Sequence, residues 1–289
     1  PSVAGFTISG YRNLGKFLNT GHDVDVRYQK VIRDFNYSIG VNANIPFTNN
    51  LLVDLGGQDA FTHSDIGETS RLVEEGEVFG AYYGYVRDGI FQSQQEIDDH
   101  ATQQPTTQPG DYRFKDLNKD GIINANDRTF LGTPYANFSG GINLGVGYKN
   151  FSFSAFSVFT QGNTIIGSVP FSYTTKLLER WTEDNRGADL SRYEVTDPSS
   201  NNRMSDQYLH DGSYFRLQNV RLSYSFPQSL LSSTVVESAM IYVQSNNLLT
   251  ITSYEGIDPE IGGVGLNYGA DSAIYPFSRS ISIGLNVNF

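Results

Sequence analysis

The chain has no cysteine among its 289 residues, so disulfides cannot brace it and thiolate chemistry is excluded. No stretch approaches the roughly 18 consecutive apolar residues that a membrane-spanning helix requires, and the mean hydropathy is −0.34. A transmembrane β-barrel is not excluded, because its strands alternate and leave only a weak hydropathy signal. Cations are scarce: 20 Lys and Arg face 31 Asp and Glu, a net charge of −11, which argues against a nucleic-acid partner. The four histidines, His22, His63, His100 and His210, are isolated in sequence and are read as solvated or hydrogen-bonded side chains rather than ligands. The opening Pro1-Ser-Val-Ala-Gly-Phe6 has neither a basic n-region nor an apolar h-region, so the chain is expected to begin inside a longer polypeptide or assembly.

What is abundant points to strands. In Arg279–Phe289, Ile281, Ile283, Leu285, Val287 and Phe289 alternate with Ser280, Ser282, Gly284, Asn286 and Asn288. Successive side chains of an extended strand face opposite sides, so this stretch has one apolar and one polar face. Tilted by about 45°, it spans on the order of 25 Å, the height of the apolar band of an outer-membrane barrel. The same alternation predicts strands over 23–29, 35–47, 138–148, 151–159, 213–226 and 239–251. The expected fold is all-β, with about seven or eight antiparallel strands.

The connections alternate in length. Short ones fall at Val31–Asp34, Lys149-Asn150 and Pro227–Ser238, and long ones at about 48–135, 160–208 and 252–278. Transmembrane barrels have short periplasmic turns and long extracellular loops, whereas a soluble sandwich has no reason to gather its long loops at one end. The long tracts carry two expected helices, one capped by Ser93 with Glu96 and one around Lys176–Thr182. Asn42, Asn44, Asn143, Arg221, Asn286 and Asn288 would line a wet lumen while the apolar faces meet outer-membrane lipid. Seven or eight strands cannot stand in lipid as an open sheet, so further strands must come from the same polypeptide or another chain.

One motif carries recognisable chemistry. Asp116-Leu-Asn118-Lys-Asp120-Gly121-Ile122 through Asp127 follows the twelve-position calcium loop, with oxygen donors at positions one, three and five and glycine at six. Asp116, Asn118, Asp120 and Asp127 would ligate Ca²⁺ by side chain and Ile122 by its carbonyl, in a structural role. Asp127 stands where that loop normally has Glu, which weakens bidentate closure, and the competing reading is a metal-free Asx-type turn. Catalysis finds little support. The acidic clusters Glu96, Asp98, Asp99 and Glu179, Glu183, Asp184 suit charged faces of loop helices better than a glycosidase pair. Gly262–Gly269 lacks the context of a phosphate-binding loop and reads as a flexible loop. Tyr82, Tyr83, Tyr85 and Tyr112 read equally as stacking surfaces for a sugar or peptide and as ordinary loop packing.

Several stretches in order resemble the C-terminal portion of SusC/RagA-type TonB-dependent transporters: Gly110–Gly121, Asp127–Gly132, Arg180–Thr182, Asp211–Pro227, Asn247–Leu249, Tyr254–Glu260 and Tyr275-Pro276. The resemblance runs from about Asn13 to Phe289. It implies a plugged barrel of about 22 strands in a Gram-negative outer membrane, of which residues 1–289 would supply the final third of the barrel domain. It further implies import of oligosaccharides or peptides, a SusD-like surface lipoprotein as lid, and TonB acting through a plug that lies outside these residues. The expected class is therefore a binding and transport protein, not an enzyme. The alternatives are a non-importing barrel subunit of a surface or secretion assembly, and a soluble secreted calcium-binding β-module.

Overall fold

Alternation along the chain becomes a seven-stranded antiparallel sheet in a computed structural model, which describes residues 15–65, 69–167 and 179–289. In chain order the elements are β1 (Lys16–Ile32), β2 (Phe35–Asp54), β3 (Phe61–Ser64), β4 (Thr69–Val73), β5 (Tyr82–Gly84) and β6 (Arg87–Ile90). After α1 (Gln94–Asp98) come β7 (Tyr112–Phe114), β8 (Thr129–Gly132), β9 (Phe138–Tyr148), β10 (Phe151–Gln161), β11 (Thr164–Ile166) and β12 (Leu209–Asp211). The rest is β13 (Tyr214–Ser225), α2 (Gln228–Leu231), β14 (Ser238–Thr252) and β15 (Ser280–Asn288). The large sheet, here called the wall, runs β1-β2-β9-β10-β13-β14-β15, so every wall strand pairs with its nearest wall neighbour in sequence. No helix among the described residues is long and apolar enough to cross a membrane.

Register turns local alternation into two continuous faces. Tyr28, Ile39, Leu144, Ala155, Val220, Ser245 and Ile281 lie in one transverse row. The next row is Tyr37, Val146, Phe153, Leu222, Val243 and Ile283, and the one beyond is Phe35, Tyr148, Phe151, Tyr224, Ile241 and Leu285. On the opposite face Gln29, Ser38, Gly145, Ser154, Arg221, Gln244 and Ser282 form a polar row. Both faces are open. Val26, Ile39, Leu144, Leu222, Val243 and Ile283 are all exposed, the last at 78%.

The hydrophobic interior lies elsewhere. Its three clusters draw on residues between the long connections and the end of β2: Leu52, Leu55 and Val73; Tyr82, Ile166 and Met204; and Tyr85, Ile90, Tyr112, Phe114, Ile123 and Trp181. The long connections, 55–137, 162–213 and 253–279, all leave the same end of the wall, and their described residues pack into one assembly with its own core.

Several boundaries differ from those expected. β1 runs to Lys16 and β2 to Asp54, well past 23–29 and 35–47, with the connection tightened to the turn at Arg33-Asp34. Pairing of β2 with β9 stops at Asn44↔Ser139, so the β1–β2 hairpin overshoots the wall by the length of Ile45–Asp54, roughly 33 Å. Irregularities in register around Leu18 to Gly21, and the polar run Thr48-Asn-Asn50, hide this extension from a period-two reading. α1 has the expected cap, Ser93 Oγ accepting from Glu96 N at 3.3 Å, but Glu96 returns its bond to Gln92 N rather than to Ser93. Of the helix expected at Lys176–Thr182, residues 176–178 lie outside the described part. Arg180 and Thr182 instead sit in isolated bridges to Leu190 and Asn185.

Candidate substrate-facing assembly and cation loop

Buried arginines hold the long connections together. Arg71, fully buried, donates from Nε to Asp65 Oδ2 at 2.7 Å, from Nη1 to Gly80 O at 2.7 Å and from Nη2 to Tyr268 O at 3.1 Å. Its guanidinium also lies 4.6 Å from the centre of the Tyr82 ring. A buried guanidinium is tolerable only when its donors are matched this way. The Tyr82 hydroxyl sits 3.1 Å from both Thr164 O and Gly269 O, sharing its proton between two connections. Burial pushes that phenol well above its ordinary range, although Arg71 pulls the other way.

Arg192 joins the first two connections: Nε donates to Asp111 Oδ1 at 2.6 Å, and the same guanidinium binds Glu194 and Ser199 Oγ. Asn201 completes this network through Asp111 Oδ1 at 2.9 Å and the amide of Tyr112 at 2.8 Å. Beside it Gly110 adopts φ +96°, and a Cβ there would fall 2.3 Å from the Trp181 ring, so only glycine lets the two connections close. Arg216, on the polar face of β13, ties the third connection to the wall through Asp258 at 2.5 Å and Glu260 at 2.9 Å.

Between the first two connections lies a cleft of about 470 Å³ whose lining includes Arg87, Gln92, Tyr112, Arg186, Asp189 and Asp206. Arg87 pairs with Asp206 at 3.0 Å and stacks 5.0 Å over Tyr112. Donors, acceptors and both signs of charge around the cleft suit a polar, extended ligand. Of the tyrosines singled out in sequence, Tyr82, Tyr85 and Tyr112 are core residues rather than open stacking surfaces, and Tyr83 is half-buried against Phe130. The arginine anchors are the functional residues that sequence reasoning missed. Only Arg216 falls within one of the family-like stretches, Asp211–Pro227; Arg71 and Arg192 lie outside them and carried no local signal.

The 116–127 loop brings its oxygen-bearing residues together. Asp116 accepts from Lys119 N at 2.6 Å and Gly121 N at 2.9 Å, Asn118 Oδ1 from Asp120 N at 2.9 Å, and Asp120 Oδ1 from Ile122 N at 2.9 Å. Gly121 takes the φ of +85° expected at position six. Asp127, fully buried, accepts from Leu117 N at 2.9 Å and Asn124 N at 2.8 Å, so position twelve folds back against the start of the loop. The Ile122 carbonyl accepts from Asn124 Nδ2 at 3.3 Å, and Ile123 anchors the loop in the core. The bond from Asn118 and the amide of Ile122 hold the Asp120 carboxyl below its usual range. The carboxylate and amide oxygens of the loop accept backbone amides throughout, which makes a complete polar turn of the Asx type. Among the described residues no three Asp, Glu or His side chains converge on one point at metal-binding spacing.

The other candidates disperse. His22 packs on Phe47, His100 on Phe91 and His210 on Tyr254, while His63 Nε2 lies 3.1 Å from Asn267 Oδ1. Gly262–Gly269 is held in place: its end residues Tyr268 and Gly269 accept from Arg71 and Tyr82, and Gly269 N donates to Gly262 O at 3.3 Å.

No protein-family model matches the chain. Over all of its length it is 31% identical to TonB-dependent receptor P3 of Formosa agariphila, 29% to TonB-dependent receptor P26 of the same organism and 24% to TonB-dependent receptor SusC of Bacteroides thetaiotaomicron. It covers 30%, 31% and 28% of those sequences, so it spans somewhat under a third of their length. In structure it superposes along its whole length on part of the RagAB peptide transporter, with a TM-score of 0.75 at 23% identity and 31% of that chain covered. The RagAB peptide importer in its "open-open" state gives a TM-score of 0.76 with 30% covered. From end to end the chain is similar in sequence to part of these TonB-dependent receptors, SusC among them, and its strand wall has the fold of part of the RagAB transporter.

Proposed function

We propose that the chain forms part of the wall and the outer loops of a TonB-dependent importer in the outer membrane of a Gram-negative bacterium. The remaining strands and a plug coupled to TonB would lie in the rest of the receptor, and a SusD-like lipoprotein would cover the loop assembly. The observation that carries this reading is the division of labour along the chain. The wall exposes an apolar band on one face and polar side chains on the other, while the core residues gather where the long connections meet. Aromatics mark both ends of the band: Phe35, Tyr148, Phe151 and Tyr224 near the short turns, Phe138, Phe159 and Phe215 near the long ones. Phe138 to Tyr148 along β9 spans on the order of 25 Å at a tilt of about 45°, the height of a barrel's lipid-facing band between its aromatic girdles.

The transported class is oligosaccharide or peptide, and the role is binding and passage rather than chemistry. The cleft at Arg87, Arg186, Asp189 and Asp206 supports a peptide best, since side chains of both signs complement a chain with polar amides and charged ends. A heat-modifiability gel on the full-length protein extracted from outer membrane tests the barrel. A compact band that shifts on boiling is expected, and a soluble species with no shift overturns the reading. Uptake by a deletion strain complemented with Arg87→Ala tests the cleft; undiminished growth on every peptide and glycan imported by the wild type removes it as a subsite.

We infer further that the 116–127 loop binds Ca²⁺ and that the ion stiffens the first long connection. Chelation should lower the melting temperature of the full-length protein, and the exposed variant Asp120→Asn should abolish that response. A melting temperature indifferent to chelator makes the loop a metal-free turn.

A further inference from the structure

The outward face holds a groove of about 460 Å³ where the wall meets the loop assembly. β10 and β13 remain paired up to Thr160↔Tyr214. There the chains turn away, Gly162 taking φ +82°, and carry Ile165 and Ile166 of β11 into the interior. Their departure leaves a shelf at the end of the apolar band. Phe138, Phe159, Phe215 and Ile251 continue the outward rows, since Phe138 pairs with Gln161, Phe159 with Phe215, and Phe215 with Ile251. The Phe138 and Phe159 rings lie 5.0 Å apart.

Just beyond, the lining becomes polar with Gln161, Asp211, Ser213 and Ser253. The Asp211 carboxylate accepts from Ser213 N at 2.9 Å, from Ser213 Oγ at 2.5 Å and from Ser253 Oγ at 3.0 Å. Burial opposes its charge, but these hydrogen bonds outweigh it and hold the carboxyl below its usual range. Among the described residues it accepts only from hydroxyls and an amide, with no Lys or Arg at hydrogen-bond distance. An apolar floor continuous with the band and a carboxylate with no cationic partner among the described residues at its upper lip form an amphiphilic site. A head bearing only phosphate would face that negative charge, whereas an ammonium would neutralise it.

We propose that this groove seats a membrane lipid with an ammonium-bearing head, its acyl chain against Phe138, Phe159, Phe215 and Ile251 and its ammonium against Asp211. The site rests on the outward face being the lipid-facing one. Native mass spectrometry of the delipidated full-length protein, titrated with phosphatidylethanolamine or phosphatidylglycerol of matched chains, tests it. Phosphatidylethanolamine should bind the wild type at lower concentration. Asp211→Asn should weaken its retention about tenfold, the scale of a charge-assisted hydrogen bond, and leave phosphatidylglycerol unchanged. Ser253→Lys, which brings a cation to the same carboxylate, should also displace phosphatidylethanolamine without removing Asp211. Equal retention of both lipids in all three proteins overturns the site and leaves the lipid-facing band standing. A full-length protein that stays folded and soluble without detergent overturns the band itself, and the site with it.

Discussion

Arg71 shows at the scale of one residue how the loop assembly is held. Its guanidinium is buried with Asp65 and two carbonyls, so removing it strands a carboxylate in the interior. Arg71→Met should destabilise the assembly by about 3–5 kcal/mol, the cost of breaking a buried pair on one side, and Arg71→Met with Asp65→Leu should recover much of the loss. Chemical denaturation of the full-length protein in detergent, followed by loop proteolysis, measures both. Tyr82 and Tyr254 set a pH limit. Both phenols are pushed well above their ordinary value near 10, by burial and, for Tyr254, by its bond to Asp271. A raised folded-state pKa gives stability that is complete below the unfolded value and is lost as pH rises past it. The assembly should therefore hold up to about pH 10 and loosen above it. Phenolate absorbance should show two tyrosines that ionise only as the loops open; phenols that all titrate together near 10 with the loops intact would contradict this pH limit.

Elements respond according to which face they present. Leu144 and Asn143 are neighbours on β9, yet one faces outward with Ile39 and Ala155 and the other lies in the row of Gly40 and Phe156. Leu144→Arg should cost about 2–4 kcal/mol near the middle of the band, and Asn143→Arg no more than about 1 kcal/mol. Unfolding from lipid vesicles compares the two, and similar costs would contradict the assignment of faces. Gly110 sits where two connections meet against Trp181, the chain's single tryptophan. Gly110→Ala combines a forbidden φ with a clash. It should shift Trp181 emission to the red and raise loop proteolysis without altering the wall.

Over the whole molecule, legibility followed the range of the interactions. β15 could be read residue by residue because alternation is a local property, and the ends of β9 and β10 were set by Lys149-Asn150. The overshoot of β1 and β2 could not be read, because irregular pairing around Leu18 to Gly21 breaks the period and its reward, Leu52 against Val73, comes from a distant segment. The interior of the loops was equally hidden. Tyr82 and Tyr112 look like surface aromatics until Arg71, Asn201 and Gly269 arrive from elsewhere in the chain. The 116–127 loop was legible as a motif, since its oxygen-bearing residues lie within twelve positions, while the direction of the Asp127 carboxylate was not. The interlocking of the three connections also has an immunological consequence. Neighbouring patches on this surface come from segments as much as 204 positions apart, as in the contact between His63 and Asn267. An antibody raised on the native protein would recognise a discontinuous epitope, and one raised on a peptide from any single connection would meet little of it on a living cell.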